Sequence, residues 1–253
     1  MKWLLMVMSL VFAFENIHAK SGLLPEFDKR CNFMSVSHAE VSPHKYHDHE
    51  QYFNKIIPSR VHQIWFGDQS KKPMLTSKWE DFSKGFKFEY TLWTDDSLDE
   101  AAEFVSPRNM RYIKMFLKLG NYWAASDIMR FEILKHLGGI YVDCDFSPPH
   151  FEGKMIDLRV ISPTSGLTVV TEHKGRDVGE SAIFVCNGFI MAPVGHPVIV
   201  SVVEQLDKNI KSWHEKTGTY DAMFITGPFF FNKVLFGSYT VIPLTYLNYF
   251  SMY

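Results

Sequence analysis

Two aspartates, Asp143 and Asp145, close an apolar run that starts at Ile140 and is broken by Pro148-Pro149. In a strand over 140–146, period two turns Ile140, Val142 and Cys144 to one face and Tyr141, Asp143 and Asp145 to the other. Both carboxylates are then expected together near a strand's carboxyl end, where open α/β sheets bind ligands. Like charges so placed repel, and a divalent cation is their natural neutraliser. Carboxylate oxygens suit Mg²⁺ or Mn²⁺, hard ions that also engage phosphate oxygens. Upstream, a helical wheel puts Asp127 and Arg130 on one face with Trp123, Leu134 and Leu137, and puts Glu132, Lys135 and His136 on the other. Charges within an apolar stripe need partners, because an unpaired buried ion costs several kcal/mol. The two either pair across one helical turn or line a polar cleft and hydrogen-bond a ligand, and the sequence leaves both readings open.

The elements that must position these residues are legible from pattern. Arg60–Phe66 reads as a strand ended by Gly67-Asp68, and 74–86 as a helix. Phe88–Trp93, rich in aromatic and β-favouring residues, reads as a second strand. Asp96 or Ser97 is expected to cap a helix running toward Val105, and Asn109–Leu119 to form another helix, ended by Gly120. Gly138-Gly139 closes the helix that carries Asp127 and Arg130. Strand and helix in alternation predict an α/β fold, a mostly parallel central sheet flanked by helices, in a single domain.

Composition excludes some classes. The chain has 253 residues, 46% hydrophobic and 15% aromatic, with a net charge of −2. That is too apolar for intrinsic disorder and lacks the basic excess that nucleic-acid binding requires, so no nucleic-acid partner is expected. Lys2 followed by the apolar run Trp3–Phe14 reads as the core of a signal peptide over residues 1–19, or as a short membrane anchor through 3–14. The first implies the secretory pathway, in the lumen or secreted, and the second membrane association through the N-terminus. Residues 20–55 read as a polar linker; His47-x-His49 within it lacks a closed ligand set for a metal. Residues 56–253 are left for the domain. Cys31, Cys144 and Cys186 fit neither a disulfide framework nor a zinc ribbon, and Cys144 and Cys186 read as small buried hydrophobes.

The run Ala125-Ser126-Asp127-x-x-Arg130-x-x-x-Leu134-x-x-x-Gly138-Gly139-Ile140-Tyr141-x-Asp143-x-Asp145 resembles the core motif of DXD-containing glycosyltransferases of the family 32 type. It is more distantly similar to the catalytic domains of clostridial glucosylating toxins. Ile57-Pro58, His62-Gln63-Ile64-Trp65-Phe66-Gly67, Asn187-Gly188-Phe189, Gly195-His196-Pro197 and Thr226-Gly227-Pro228 fall in the order of that family's other landmarks. The resemblance implies a GT-A fold and a metal-dependent, retaining transfer of a hexose. The donor would be a UDP-sugar or GDP-sugar, and the acceptor a glycan, a glycolipid or other lipid, or a protein.

Carried over by position, Asp143 and Asp145 would hold Mn²⁺ or Mg²⁺ against the donor diphosphate, with Asp143 nearer the ribose and sugar. Asp127 and Arg130 would contact sugar hydroxyls, Trp65 would stack on the nucleobase, and Asn187 would reach the transferred sugar. His62 reads as structural. The family pattern also has a polar residue, often His, after Thr-Gly-Pro. No His follows His214 here, and Asn248 or Ser251 could take that place. Two other readings of the same residues are a catalytically weakened relative that binds a nucleotide sugar or glycan, and a phosphate-processing hydrolase with Asp143 as nucleophile.

Overall fold

A computed structural model describes residues 31–36, 57–148, 150–151, 154–155, 158, 166–172, 182–236 and 242–243. The leader expected at 1–19, most of the linker expected at 20–55, and Asn248 and Ser251 lie outside them. Within the linker stretch, Cys31–Val36 forms strand β1.

The elements that follow are β2 (Arg60–Ile64), α1 (Leu75–Phe86), β3 (Glu89–Trp93), α2 (Leu98–Ala101), α3 (Pro107–Lys118) and α4 (Tyr122–His136). Then come β4 (Gly139–Val142), β5 (His150–Phe151), β6 (Lys154–Met155), β7 (Leu167–Glu172), β8 (Ala182–Ala192), α5 (Pro197–Thr217), α6 (Ala222–Ile225), α7 (Pro228–Phe236) and β9 (Ile242–Pro243). The main sheet has seven strands in the order β1-β7-β8-β4-β2-β3, with β9 paired to β8. It is mixed: β4, β2 and β3 run parallel, as the strand–helix alternation requires, while β1, β7, β8 and β9 join antiparallel.

Two apolar layers sandwich this sheet. On one face α1 buries Thr76, Trp79, Phe82 and Ser83 at helical spacing, and Trp79 and Phe82 pack with Val61, Ile140 and Phe189. On the other face α3, α4 and α5 bury Phe116, Ile128, Phe131 and Leu206 with Ile64, Trp93 and Tyr141. The connections after the adjacent strands β2 and β3 therefore leave for opposite faces, the arrangement that in an open α/β sheet makes a ligand crevice at the strands' carboxyl ends, here those of β2, β3 and β4.

Two local expectations change. The helix expected toward Val105 shrinks to a 3-10 turn, Asp95–Ser97, and the single turn α2. Phe104 instead turns edge-on to Trp93, ring centroids 5.7 Å apart, and Ser106 with Pro107 opens α3, because a residue before proline avoids helical backbone. The strand expected over 140–146 stops at Val142. A turn follows, closed by the Phe146 N–H donating to the Asp143 carbonyl at 3.2 Å.

The wheel for α4 also fails at two positions. Trp123, placed on the apolar stripe, is 81% exposed, whereas Glu132, placed opposite it, is wholly buried. The middle of α4 is wedged between the sheet, α3 and α5 and is buried from Ile128 to Leu134, so it has no free side. Glu132 is accommodated by the Asn109 side chain and the Ser106 N–H, which donate to its Oε1 at 2.7 and 3.3 Å.

Candidate active site

At the carboxyl end of β4 three distant segments meet on one guanidinium. Arg130 is 4% exposed; its Nη2 stands 3.0 Å from Asp127 Oδ1 and 3.1 Å from Asp143 Oδ1. Its Nη1 donates to the Asn187 carbonyl, and its Cζ lies over the Tyr141 ring, 4.4 Å from the centroid. Asp127, 5% exposed, also accepts from Asn187 Nδ2 at 2.8 Å and from Thr226 Oγ1 at 3.0 Å. The Tyr141 hydroxyl donates to Asp143 Oδ1 at 2.6 Å. Sequence left open whether Asp127 and Arg130 pair with each other or line a cleft; in the structure they pair, and Arg130 extends the pairing to Asp143.

Local chain geometry explains this convergence. Asn121 caps α4 by accepting from the Ala124 N–H at 3.2 Å, which fixes the turn on which Asp127 and Arg130 sit. Gly138 and Gly139, both at positive φ, return the chain into β4. A Cβ on Gly139 would lie 2.7 Å from the Arg60 carbonyl oxygen, so β4 could not lie against β2 with any larger residue there. Asn187 is freed by an irregularity: β7 pairs Val169 with Ile190 and then Val170 with Cys186. Residues 187–189 thus bulge out of that ladder while still lying against β4, where the Asp143 N–H donates to the Gly188 carbonyl at 2.7 Å. The bulge leaves the Asn187 carbonyl for Arg130 and its amide for Asp127.

Burial dominates the electrostatics. It pushes the Asp127 carboxyl up to about 6 against the opposing pull of Arg130. Asp143 is raised by burial too, again with Arg130 opposing; its side chain keeps 34% of its surface open, so solvent screens part of the effect. For Arg130 burial works against the charge, but Asp143, Tyr141 and Asp127 together hold it firmly cationic.

Asp145 sits in the turn after Asp143, exposed to solvent. With Asp127 and Asp143 it makes three carboxylates against one guanidinium, a floor two charges negative when all are ionised. Among the described residues no three His, Cys, Asp or Glu side chains cluster as a closed metal cage. Asp143 and Asp145 instead suit a Mg²⁺- or Mn²⁺-like ion that takes one or two carboxylates and fills its remaining positions with water and phosphate oxygens. Gly188 leaves the room this needs, since a Cβ there would come within 2.6 Å of Asp143 Oδ2.

Trp65 lies on the same edge of the sheet, half-buried just past β2, its indole N–H donating to the Asp68 carbonyl at 3.0 Å. It takes no part in the Arg130 cluster. His62 is structural, as expected: it bridges the Trp93 indole, which donates to its Nδ1 at 3.3 Å, and the Gly138 carbonyl at 3.1 Å. Burial pulls its pKa down to about 4. Cys144 is buried, its thiol pushed up to about 12 by that burial, and neither Cys144 nor Cys186 forms a disulfide.

Four contributors had no assigned role in the sequence: Tyr141, Thr226, Gly188 and Gln63. Tyr141 was signalled by sharing the alternation face of Asp143, and Thr226 and Gly188 stood in short landmark motifs. Gln63, which accepts from the Tyr90 hydroxyl at 2.9 Å and donates to the Asp143 carbonyl at 3.4 Å, stood in the opening-strand motif at 62–67 with no role of its own.

A sequence profile of the TcdA/TcdB catalytic glycosyltransferase domain matches residues 96–168, a stretch holding Asp127, Arg130, Asp143 and Asp145. Inositol phosphoceramide mannosyltransferase 3 of Schizosaccharomyces pombe is 24% identical over 204 residues, 78% of this chain and 50% of that protein. Mannosyl phosphorylinositol ceramide synthase CSH1 of Saccharomyces cerevisiae is 23% identical over 184 residues, 71% of this chain and 43% of that protein. The chain thus spans about half the length of these relatives. Among solved structures, the PaToxG glycosyltransferase aligns at a TM-score of 0.46 and 17% identity, covering 74% of this chain and 72% of its own. The chain is related in sequence to glycosyltransferases.

Proposed function

We propose that this protein is a metal-dependent retaining glycosyltransferase that moves a hexose from a nucleotide-sugar donor. What carries the reading is the meeting of Asp127, Arg130, Asn187 and Asp143 on one negative crevice floor, inside the stretch matched by a glycosyltransferase profile. In this reading Asp143 and Asp145 hold Mn²⁺ or Mg²⁺, which when bound neutralises the donor diphosphate. Trp65 supplies a flat surface for the nucleobase. Arg130, held cationic between two carboxylates, faces the charge that develops on the departing nucleoside diphosphate. Asp127 and Asn187, locked to each other, present a fixed polar edge to the sugar. The names of the two fungal relatives favour a GDP-mannose donor and an inositol phosphoceramide-type lipid acceptor. A signal peptide over 1–19 would put that chemistry in the secretory pathway, and the alternative, an anchor through 3–14, would hold it at a membrane.

The test is a panel of GDP-sugars and UDP-sugars scored for Mn²⁺-dependent hydrolysis, and for transfer to a phosphoinositol lipid. Turnover of GDP-mannose that EDTA abolishes and Asp145→Asn removes is the expected result. Turnover indifferent to both would sink the metal assignment, and phosphate release from simple phosphate esters would replace the transferase with a hydrolase. One observation favours a second reading, a relative that binds its donor without turning it over. Asp127 is 5% exposed and both its oxygens already accept hydrogen bonds within the protein, so little of its carboxylate is open to a sugar hydroxyl. Saturable donor binding without hydrolysis or transfer would select that reading.

A further inference from the structure

Helix α3 presents two unlike faces. Asn109, Met110, Ile113 and Phe116 are buried against α4 and α5. Every residue of its outward face beyond Pro107 is basic: Arg108, Arg111, Lys114 and Lys118 are all exposed, and α3 contains no acidic residue. The spacing 3-3-4 keeps the four within a single stripe about 15 Å long. At its first turn, Arg108 is within electrostatic reach of Asp207 on α5. Asp207 accepts from the Tyr112 hydroxyl at 2.8 Å and pairs with Lys211 at 3.0 Å. The outward charge is therefore carried chiefly by Arg111, Lys114 and Lys118.

The stripe runs into an apolar corner. Leu119, 59% exposed, ends α3, and Trp123, 81% exposed, opens α4 beside the partly exposed Tyr122. This corner lies against the loop that follows β2, at the carboxyl edge of the sheet. The Tyr122 ring covers Gly67, in the loop after Trp65, so closely that a Cβ on that glycine would lie 3.0 Å from Tyr122 Cζ. Trp123 precedes Asp127 by one helical turn, about 6 Å along the axis.

Large exposed aromatic and aliphatic groups beside unpaired cations match the lipid–water interface, where an indole sits at headgroup depth and Lys or Arg meets anionic lipid. A nucleic acid would account for the cations but not for Leu119 and Trp123, and it would meet a crevice that is itself negative.

We propose that the outer face of α3, with Leu119 and Trp123, docks the protein onto an anionic lipid bilayer and holds the crevice mouth at the headgroup layer. This surface is separate from the apolar run at residues 3–14 and needs charge on the lipid. It deepens the reading of a lipid acceptor. Docking is measured without turnover, so its failure and the failure of the transferase reading are told apart.

The experiment is co-sedimentation of the full chain with vesicles of phosphatidylcholine alone or mixed with phosphatidylserine, across a salt series. Binding is expected only to the mixed vesicles and should weaken as salt rises. Each cation near an anionic surface contributes about fivefold, so the triple variant R111Q/K114Q/K118Q should lose on the order of a hundredfold in binding. Trp123→Ala should lose roughly tenfold while keeping the salt dependence. All these residues are exposed, and an unchanged circular dichroism spectrum checks that the variants fold. Equal binding to neutral vesicles would assign attachment to an apolar segment and overturn the proposal, as would a triple variant that binds like the wild type. Retention on polyuridylate without vesicle binding would overturn it in favour of a nucleic-acid partner.

Discussion

Gly188→Ala asks how much room the Asp143 carboxylate needs. The added Cβ would lie 2.6 Å from Asp143 Oδ2, 3.0 Å from Phe146 Cε2 and 3.2 Å from Cys186 Sγ. Gly188 does not have a positive φ, so alanine is allowed by the backbone and the whole effect is one of space. Ordinary contact begins near 3.4 Å, so Oδ2 must retreat by about 0.8 Å. A free carboxylate would simply rotate. This one is tied at Oδ1 by Tyr141 at 2.6 Å and Arg130 at 3.1 Å, so retreat stretches the ion pair or drags Arg130 off Asp127. Overpacking of this kind costs about 1–3 kcal/mol, offset by about 0.4–1 kcal/mol from the stiffer unfolded chain.

The expected outcome is a modest loss of stability, near 1 kcal/mol, and a melting temperature lower by roughly 2–4 °C. Catalysis should suffer more. A displacement approaching 1 Å in a positioned group costs on the order of a hundredfold in rate, and the metal concentration giving half-maximal hydrolysis should rise. Scanning fluorimetry gives the first quantity and nucleotide-sugar hydrolysis across a Mn²⁺ titration gives the second, with Asp143→Asn as the control that removes charge but keeps shape. Wild-type turnover and unchanged metal dependence in Gly188→Ala would refute the placement of Asp143 at the reacting centre.

Other perturbations follow from the same contacts. Arg130→Met leaves Asp127 and Asp143 facing each other without a counter-charge; loss of one member of a buried ion pair costs about 3–5 kcal/mol, and urea unfolding should show it, with Asp127→Asn clearly milder. Asn232, buried on α7, accepts from the Val185 N–H at 3.1 Å and donates to the Val185 carbonyl at 2.8 Å. Asn232→Leu should orphan both groups and cost about 2–4 kcal/mol, while Asn232→Ser recovers part of the loss. For pH, Asp127 is raised from 3.8 to about 6, so the native state holds the extra proton and its contribution falls as pH rises through that window. His62 is lowered from 6.5 to about 4, so the unfolded chain takes the proton and stability is lost as pH falls through that range. The two slopes oppose between pH 4 and 6; Asp127→Asn should therefore steepen acid unfolding and His62→Gln should flatten it, and denaturant melts that show the reverse order would reject these assignments.

Much of the framework was legible because it depends on local chemistry. The stretches 60–66 and 88–93 are rich in β-favouring Val, Ile, Phe, Tyr and Trp and are soon followed by Gly67-Asp68 and Asp95-Asp96, and they contain β2 and β3. Gly138-Gly139 marked the passage from α4 to β4 because only glycine tolerates positive φ beside the Arg60 backbone. Alternation correctly placed Tyr141 and Asp143 on one face, and they share a hydrogen bond. The surroundings of α4 could not be read this way. A helical wheel assumes one wet side, and it failed at Trp123 and Glu132 because α4 is enclosed along its middle and projects at its first turn.

Sequence alone determined which chemical groups were available and the order in which they came: two aspartates after a double glycine, and an aspartate and an arginine one helical turn apart. It could not decide what Arg130 would bind, because its partners lie 3, 13 and 57 residues away. The tertiary fold decided that, through a bulge in β8 that no residue pattern announces and that turns both polar groups of Asn187 toward α4. Spacing along the chain fixes neighbours only within a turn or a strand. Across a sheet, proximity is set by register, and register depends on how every strand packs against the helices covering it.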